Sequence, residues 1–398
     1  MIKNWLTNTD YLNQKEFNPN QGVSTRLAAL DLARCLAMFF MTQGHVIYAI
    51  ADSSFIDPAN PYYNVWSFIR GITAPIFLTV SGAVQVFANK RDEETGRVKP
   101  KHIYRRLSTA FLLIFTGYLL VFPAQKLFHL FFINEQDWTR FFQVNILHVI
   151  GVSILLLLAV FLTVKKDKIF IYITFSIGML IFLLTPIVYS MNMYEYLPMP
   201  FAQYFSLERS SLFTLFPYTG YMFIGAAYGT LIKMQQPENR LNFILKTGIA
   251  VGAVLIVISF PVTEFIKSQN FDFIDPMKGN FGFSLLRQGL VFIFISIVVV
   301  VYRYTKALSG WYSLFGKRAL FVYIIHLTIL YGTPWTGSFG QLLHRQVPIE
   351  LSIPIAIFVV ALSGFFAWLY DYLTRKNSDN VLLFRYSLIF LIAFLLLV

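Results

Sequence analysis

Charge is scarce in this chain: 13% of its 398 residues are Asp, Glu, Lys or Arg, against about a quarter in ordinary soluble domains. With 57% of residues hydrophobic, that deficit excludes a water-soluble enzyme. Cysteine is nearly absent. The single Cys35 rules out an intramolecular disulfide and any cysteine-rich metal site. No Walker loop, GxSxG elbow or dinucleotide fingerprint occurs, which removes the commonest nucleotide-binding and hydrolase signatures. The chain also lacks internal repeats, Ser/Gly-rich linkers and any connection long enough to hold a folded soluble domain. Its opening residues have no apolar core, so no cleaved signal peptide is expected.

What the chain does have is long apolar runs, such as "ILLLLAVFLTV" and "LIFLIAFLLLV", several of which reach the roughly 20 residues a helix needs to cross a bilayer core. The pattern predicts an all-α, polytopic membrane bundle of about 11 transmembrane helices, within a range of 10–12. The expected spans are 27–50, 66–88, 107–123, 144–163, 169–189, 212–232, 243–263, 284–301, 319–333, 351–373 and 381–398. The ninth is the weakest, since Lys317 and Arg318 start it late and Gly332 and Pro334 end it early; it is either short or begins nearer Trp311. Residues 1–26 are read as a cytoplasmic segment and 27–398 as one transmembrane domain.

The net charge of +12 would suggest nucleic acid for a soluble protein; here it bears on orientation, and no nucleic-acid partner is expected. With the N-terminus in the cytoplasm, 22 of the 32 basic residues fall on the inner side, six in outer loops and four within spans. The inner loop "KRDEETGRVKPKHIYRR" alone holds seven. The expected setting is the plasma membrane, with an extracytoplasmic C-terminus.

Ionisable groups inside spans cost several kcal/mol unless paired or hydrated, so each invites a functional explanation. In "RLAALDLARCLAMFFMTQGHVIYAI", Asp31 and Arg34 are three residues apart and can pair. Arg34 and His45 are eleven apart, about 20° past three full turns, and so share a face about 16 Å apart along the axis. An inner cation and an outer imidazole could line a path for an anionic donor; equally, Asp31 and Arg34 could be a boundary ion pair and His45 an interfacial anchor.

A second cluster opens the fourth span, "FQVNILHVIGVSILL", where Asn145 and His148 share a face at the expected depth of His45. No carboxylate or cysteine stands at ligand spacing beside them, so no metal is expected. General-base work needs an imidazole and a partner that fixes its tautomer. His326 follows Tyr323 by three residues in "LFVYIIHLTILYG"; the two share a face, either satisfying one another or belonging to the donor-binding set. Arg105 and Arg106 before the third span, with Lys317 and Arg318 before the ninth, are suited to phosphate oxygens, although positive-inside topology explains such pairs too. "GYMFIG" suggests close helix packing.

Several segments, in this order, resemble bacterial relatives of the heparan-alpha-glucosaminide N-acetyltransferase family: "RLAALDLARCLAMFFMTQGHVIYAI", "APIFLTVSGAVQVFANK", "RRLSTAFLLIFTGYLL", "VNILHVIGVSILL", "LFPYTGYMFIGAAYG" and "LFGKRALFVYIIHLTILYG". The Arg34-to-His45 spacing is also similar to the motif of acyltransferase family three. The resemblance implies transfer of an acyl group, usually acetyl, from cytoplasmic acyl-CoA to a sugar or glycan beyond the membrane. It implies His45 as the catalytic residue, Arg34 on the donor path, and Arg105 and Arg106 facing CoA. The residue after the first-span arginine is Cys35 where the family usually has glycine. The stretch "ADSSFIDPANPYYNVW", which corresponds to the loop of the eukaryotic enzyme's catalytic histidine, contains none; this moves the assignment to His45 with His148.

On this reading acyl-CoA docks against Arg105, Arg106, Lys317 and Arg318, and His45 activates the acceptor, by direct transfer or through an acyl-imidazole. Asn145, Gln43 and protonated His148 are the candidate oxyanion donors. The rival is a transporter or flippase for an anionic or lipid-linked glycan, with Arg34, Arg70, Arg287 and Arg385 flanking its path. Homo-oligomer formation is left open by the sequence.

Overall fold

A computed structural model of the chain describes residues 27–88, 98–209, 211–269 and 279–376, with scattered residues between 383 and 397. Eleven helices carry the architecture: α1 (Ala28–Ile50), α2 (Pro61–Ala88), α3 (Pro100–Leu120), α4 (Ile146–Thr163), α5 (Asp167–Ser190), α6 (Leu215–Lys233), α7 (Arg240–Ser268), α8 (Phe281–Thr305), α9 (Ser309–Lys317), α10 (Ala319–Tyr331) and α11 (Ile349–Lys376). Shorter helical turns, such as Glu135–Phe141 and Phe339–Leu342, sit in the connections. No strand forms among the described residues beyond two isolated bridges. The protein is all-α.

Among the described residues, six helical segments are long and apolar enough to cross a membrane: Pro61–Ala88, Ile146–Thr163, Asp167–Ser190, Pro237–Ser268, Phe281–Lys317 and Ile349–Lys376. Helices also form at the other expected positions 27–50, 107–123, 212–232 and 319–333, but these are more polar or shorter. The reason lies in what they touch. α1 and α6 are enclosed by protein along most of their length, so they carry Asp31, Arg34, Thr42, Gly225 and Thr230 where a lipid-facing helix would carry Leu or Val. In contrast only 22% of the most apolar stretch of α7 is buried, and its exposed face is Val254, Val257 and Phe260. A face of that kind is matched to lipid tails. Only scattered residues of the expected span 381–398 are described, and Arg385, residues 1–26 and Lys278 lie outside the described residues.

The ninth expected span is divided. α9 ends at Lys317, Arg318 leaves helical geometry, and α10 runs for 13 residues to Tyr331. At 1.5 Å per residue that is about 20 Å, shorter than the hydrocarbon core. Gly332 closes α10 with a φ of 72°, a backbone conformation that glycine adopts without Cβ strain.

Consecutive helices pack antiparallel, as their polar ties show. Lys233 at the end of α6 lies 3.7 Å from Asp167 at the start of α5, and Arg303 at the end of α8 donates to Asn242 at the start of α7 at 2.6 Å. The tightest packing is between α2 and α6. A Cβ on Gly225 would overlap the Thr79 carbonyl, so the two backbones approach as small-residue membrane helices do.

One large apolar core runs through α1, α2, α4, α6 and α8. A second gathers Val46, Ile47, Ile50, Leu330, Val347, Ala356 and Val359 around the far end of α1. There the 345–347 loop is stitched to α1: Val347 N–H donates to the Ile50 carbonyl at 3.0 Å and Asp52 N–H to the Val347 carbonyl at 2.9 Å. This core fixes the end of α1 that holds His45 against α10 and α11.

Candidate functional site

The centre of the site is a pair of histidines 281 positions apart in sequence. His45 of α1 and His326 of α10 meet edge to face, with ring centroids 5.4 Å apart and planes at 89°. Tyr331 lies 6.2 Å from the His45 ring, and Tyr323 lies 5.2 Å from the His326 ring, so the residues expected to share a face of that span do so. His326 is fully buried. Its Nδ1 is 3.0 Å from the Val322 carbonyl, which can only accept, and this assigns the proton to Nδ1. Nε2 is thereby a lone-pair acceptor, buried and without a hydrogen-bond partner among the described residues, as is Nδ1 of His45.

Unpartnered buried polar atoms are rare in folded proteins, and each calls for an explanation. Three more lie where α1, α2 and α8 pack together: Thr42 Oγ1, Gln85 Oε1 and Gln288 Nε2. Gln288 also accepts from the Thr79 hydroxyl at 3.4 Å. Gln85 sits near the end of α2 that adjoins the start of α1, Thr79 and Gln288 lie deeper, and Thr42 is one turn from His45. Thr42, Gln85 and Gln288 are all buried. None of them carries a charge, which is why a search for ionisable residues passes over them; the available signal was a glutamine inside each of the runs "LTVSGAVQVF" and "LLRQGLVF".

At the start of α1, Arg34 donates to the Gly316 carbonyl of α9 at 3.4 Å, and the Ser313 hydroxyl donates to Asp31 at 3.3 Å. α9 therefore seats the start of α1 and brings Lys317 to the same end. Arg318 has a different arrangement. Its Nε and NH2 donate to Asp371 Oδ1 at 3.0 and 2.8 Å, while Arg375 holds the other carboxylate oxygen at 2.8 Å. The Asp371 side chain is 7% exposed, so this triad ties the break between α9 and α10 to the end of α11. Arg105 and Arg106 stand in the second turn of α3, half-buried.

His148 and Asn145 are arranged as a helix start. The Asn145 carbonyl oxygen of the side chain accepts from Leu147 N–H at 3.0 Å, its amide donates to the Gly117 carbonyl at 3.2 Å, and Asn145 N–H donates to His148 Nδ1 at 3.1 Å. That reciprocal capping box satisfies the orphan donors of α4 and locks it to α3. The His148 ring packs on Tyr118 at 4.2 Å and Tyr204 at 6.2 Å, with its Nε2 buried and unpartnered among the described residues. His45 therefore has His326 and Tyr331 as ring neighbours, whereas His148 has the two tyrosines. Gln43 donates to the Phe40 carbonyl and accepts from Trp66 Nε1 at 3.4 Å. No group of three or more metal-ligating side chains occurs among the described residues.

The family model for heparan-alpha-glucosaminide N-acetyltransferase, catalytic, matches residues 26–261, more than half of the chain. The chain belongs to that catalytic family. Together with its apolar helices, membership describes a membrane acetyltransferase. The matched region of the N-acetyltransferase family spans α1 to most of α7 and so includes Arg34, His45, Gln85 and His148; His326 and Gln288 lie beyond it. No curated protein matches the chain.

Proposed function

We propose that the protein transfers an acetyl group from cytoplasmic acetyl-CoA to a sugar or glycan on the extracytoplasmic side of the plasma membrane, with the N-terminus inside and about eleven spans. The observations that support this reading are the His45–His326 pair and the unpartnered Thr42, Gln85 and Gln288 of α1, α2 and α8, which we read as one polar track toward Arg34. In a low-dielectric bundle, polar atoms without partners are costly. A thin chain bearing amide groups, such as the pantetheine arm of acyl-CoA, would supply the missing donors and acceptors along that track. Arg34, Lys317, Arg105 and Arg106 would hold the phosphates at the basic end. Arg318, already engaged by Asp371, serves chiefly to fasten α9 and α10 to α11.

His45 is the general base. It takes the proton from the acceptor amine or hydroxyl as that nitrogen or oxygen bonds to the acetyl carbon; the C–S bond breaks, and the proton returns to the departing sulfur. His326, whose ring meets that of His45 edge to face, limits the orientations open to the base. The capping role of Asn145 and His148 places them in support of the bundle beside this centre. Purified protein supplied with labelled acetyl-CoA tests the proposal: CoA release that depends on an amino-sugar acceptor and vanishes in His45→Ala is the expected result. Movement of glycan across vesicles with no need for acetyl-CoA would establish transport and overturn it.

A further inference from the structure

A second feature lies beside His45, on the side away from the acyl track. Gly44 has no side chain, and the stem of Arg70 from α2 fills that place: a Cβ on Gly44 would sit 2.8 Å from Arg70 Cγ. The Arg70 guanidinium then lies 4.2 Å from the centre of the Tyr48 ring and 5.1 Å from that of Trp66. Arg345 reaches the same tyrosine from the loop before α11, at 4.7 Å. That loop is bonded to the end of α1, Arg345 N–H donating to the Ala49 carbonyl at 3.4 Å, and Arg345 itself adopts a φ of 54°. A non-glycine residue held in that region is uncommon, and such residues gather at functional sites.

Two cations on one aromatic ring repel each other, and no acid among the described residues pairs with either. The acids of the following loop are spent on their own turns: Asp52 accepts from the Ser54 hydroxyl and from Ser54 and Phe55 N–H, and Asp57 from Ala59 N–H. The Ser54 hydroxyl first, and then the Phe55 N–H, hold the Asp52 carboxyl below its ordinary value, so it stays an occupied anion at neutral pH. Behind Arg70, the nearest charged group on α8 is another cation: Arg287 NH2 lies 3.9 Å from the Cβ position of Gly71, among Tyr189, Tyr218 and Tyr221. Positive charge assembled without a counter-charge next to a reacting group is the arrangement expected of an oxyanion-binding subsite.

We infer that Arg70 and Arg345, set on Tyr48, bind an anionic group of the acceptor, a carboxylate or a phosphate, and so position the adjoining sugar at His45. Its role as an acceptor subsite rests on the transfer reading above; the anion site itself rests on the geometry just given. Both cations are half-exposed, which leaves the site open to a ligand from outside. Neutral sugars lack the group it recognises, so selectivity for charged acceptors follows.

The test uses the full chain in detergent micelles and two independent readings. Trp66 reports binding without turnover: glucuronate or inorganic phosphate, titrated against chloride at equal ionic strength, should change its fluorescence saturably. Trp66→Phe should abolish the signal, Arg70→Gln and Arg345→Gln should weaken the apparent affinity about tenfold to a hundredfold, the range for a lost charge-assisted bond, and Arg70→Lys should retain part of it. In the transfer assay, a glucuronate–glucosamine disaccharide, its neutral methyl ester and a glucosamine glycosyl phosphate separate the two anion sources. The charged form that is used should have a KM at least about tenfold below that of the ester, a ratio that collapses toward one in Arg70→Gln. Equal KM values for all three acceptors, or phosphate and glucuronate titrations no different from chloride, would overturn the inference. Saturable anion binding with no acetyl transfer to any sugar would instead overturn the transfer reading and leave the cation site standing.

Discussion

Replacing His326 by leucine removes one ring nitrogen that carries a proton to the Val322 carbonyl and another that has no partner among the described residues. The two effects on stability oppose each other. Losing the hydrogen bond costs about 1 kcal/mol, and removing a buried unpartnered acceptor returns about 1–3 kcal/mol. The leucine fills most of the ring's place against Tyr323, so the fold is expected to persist, with a net change between zero and a gain of about 2 kcal/mol. Catalysis should fall. The His326 ring stands 5.4 Å from His45, and loss of the ring that orients a general base should cost at least about tenfold of the roughly 10²–10⁴ in rate that such a base supplies. Single-turnover transfer of labelled acetyl by purified His326→Leu, with folding checked by gel filtration and thermal unfolding, gives the number. If the two histidines act as a unit, the double variant with His45→Ala falls no further than His45→Ala alone. Transfer at the wild-type rate by a folded His326→Leu protein would refute the pairing as a catalytic device.

Other outcomes follow from the same geometry. His148→Ala removes one arm of the α4 capping box and should lower stability by about 1–2 kcal/mol, while kcat per folded molecule stays within a fewfold of wild type; a loss like that of His45→Ala would return His148 to the chemistry. Asp371→Asn leaves Arg318 facing no full charge in a site 7% exposed on the acid side and should cost about 3–5 kcal/mol, read as a lowered unfolding temperature in detergent with the acetyl-CoA KM unchanged in the folded fraction. Gly225→Val places branched carbons onto the Thr79 carbonyl, so α2 must separate from α6; failure to accumulate folded protein is expected, and a normal unfolding temperature would contradict the close approach. Gln85→Leu should raise the KM for acetyl-CoA severalfold to tenfold, as expected for one lost hydrogen bond of about 1 kcal/mol, and should leave the acceptor KM in place.

Much of this was legible in the chain. Apolar runs located the described helices with ends up to about seven residues off, because in lipid every backbone group must be satisfied by its own helix. Counting spans from apolarity alone is harder here, since α1 and α6 face protein and are built from small and polar residues. Helical periodicity correctly set Tyr323 beside His326, a local relation. The meeting of His45 with His326 was not legible: it depends on α10 packing against α1, and nothing local to either sequence encodes that contact. Asn145 and His148, three apart before an apolar run, fit a helix start as well as a reaction centre, and the bonds they form are those of a start. Arg318 shows the same ambiguity, since its partner Asp371 lies 53 residues away. The polar track was hidden for another reason. Thr42, Gln85 and Gln288 are uncharged, and only their burial without partners gives them meaning.

In the proposed reaction the transfer is vectorial: the acetyl group leaves a donor at the Arg34 end of α1 and arrives on an acceptor at the His45 end. Proteoliposomes of uniform orientation, with acetyl-CoA and the amino sugar confined to opposite compartments, measure it directly. Acetylated sugar should accumulate when acetyl-CoA is on the Arg34 side, and none should form when the compartments are exchanged. Product that forms only with both substrates on one side of the bilayer would contradict the account.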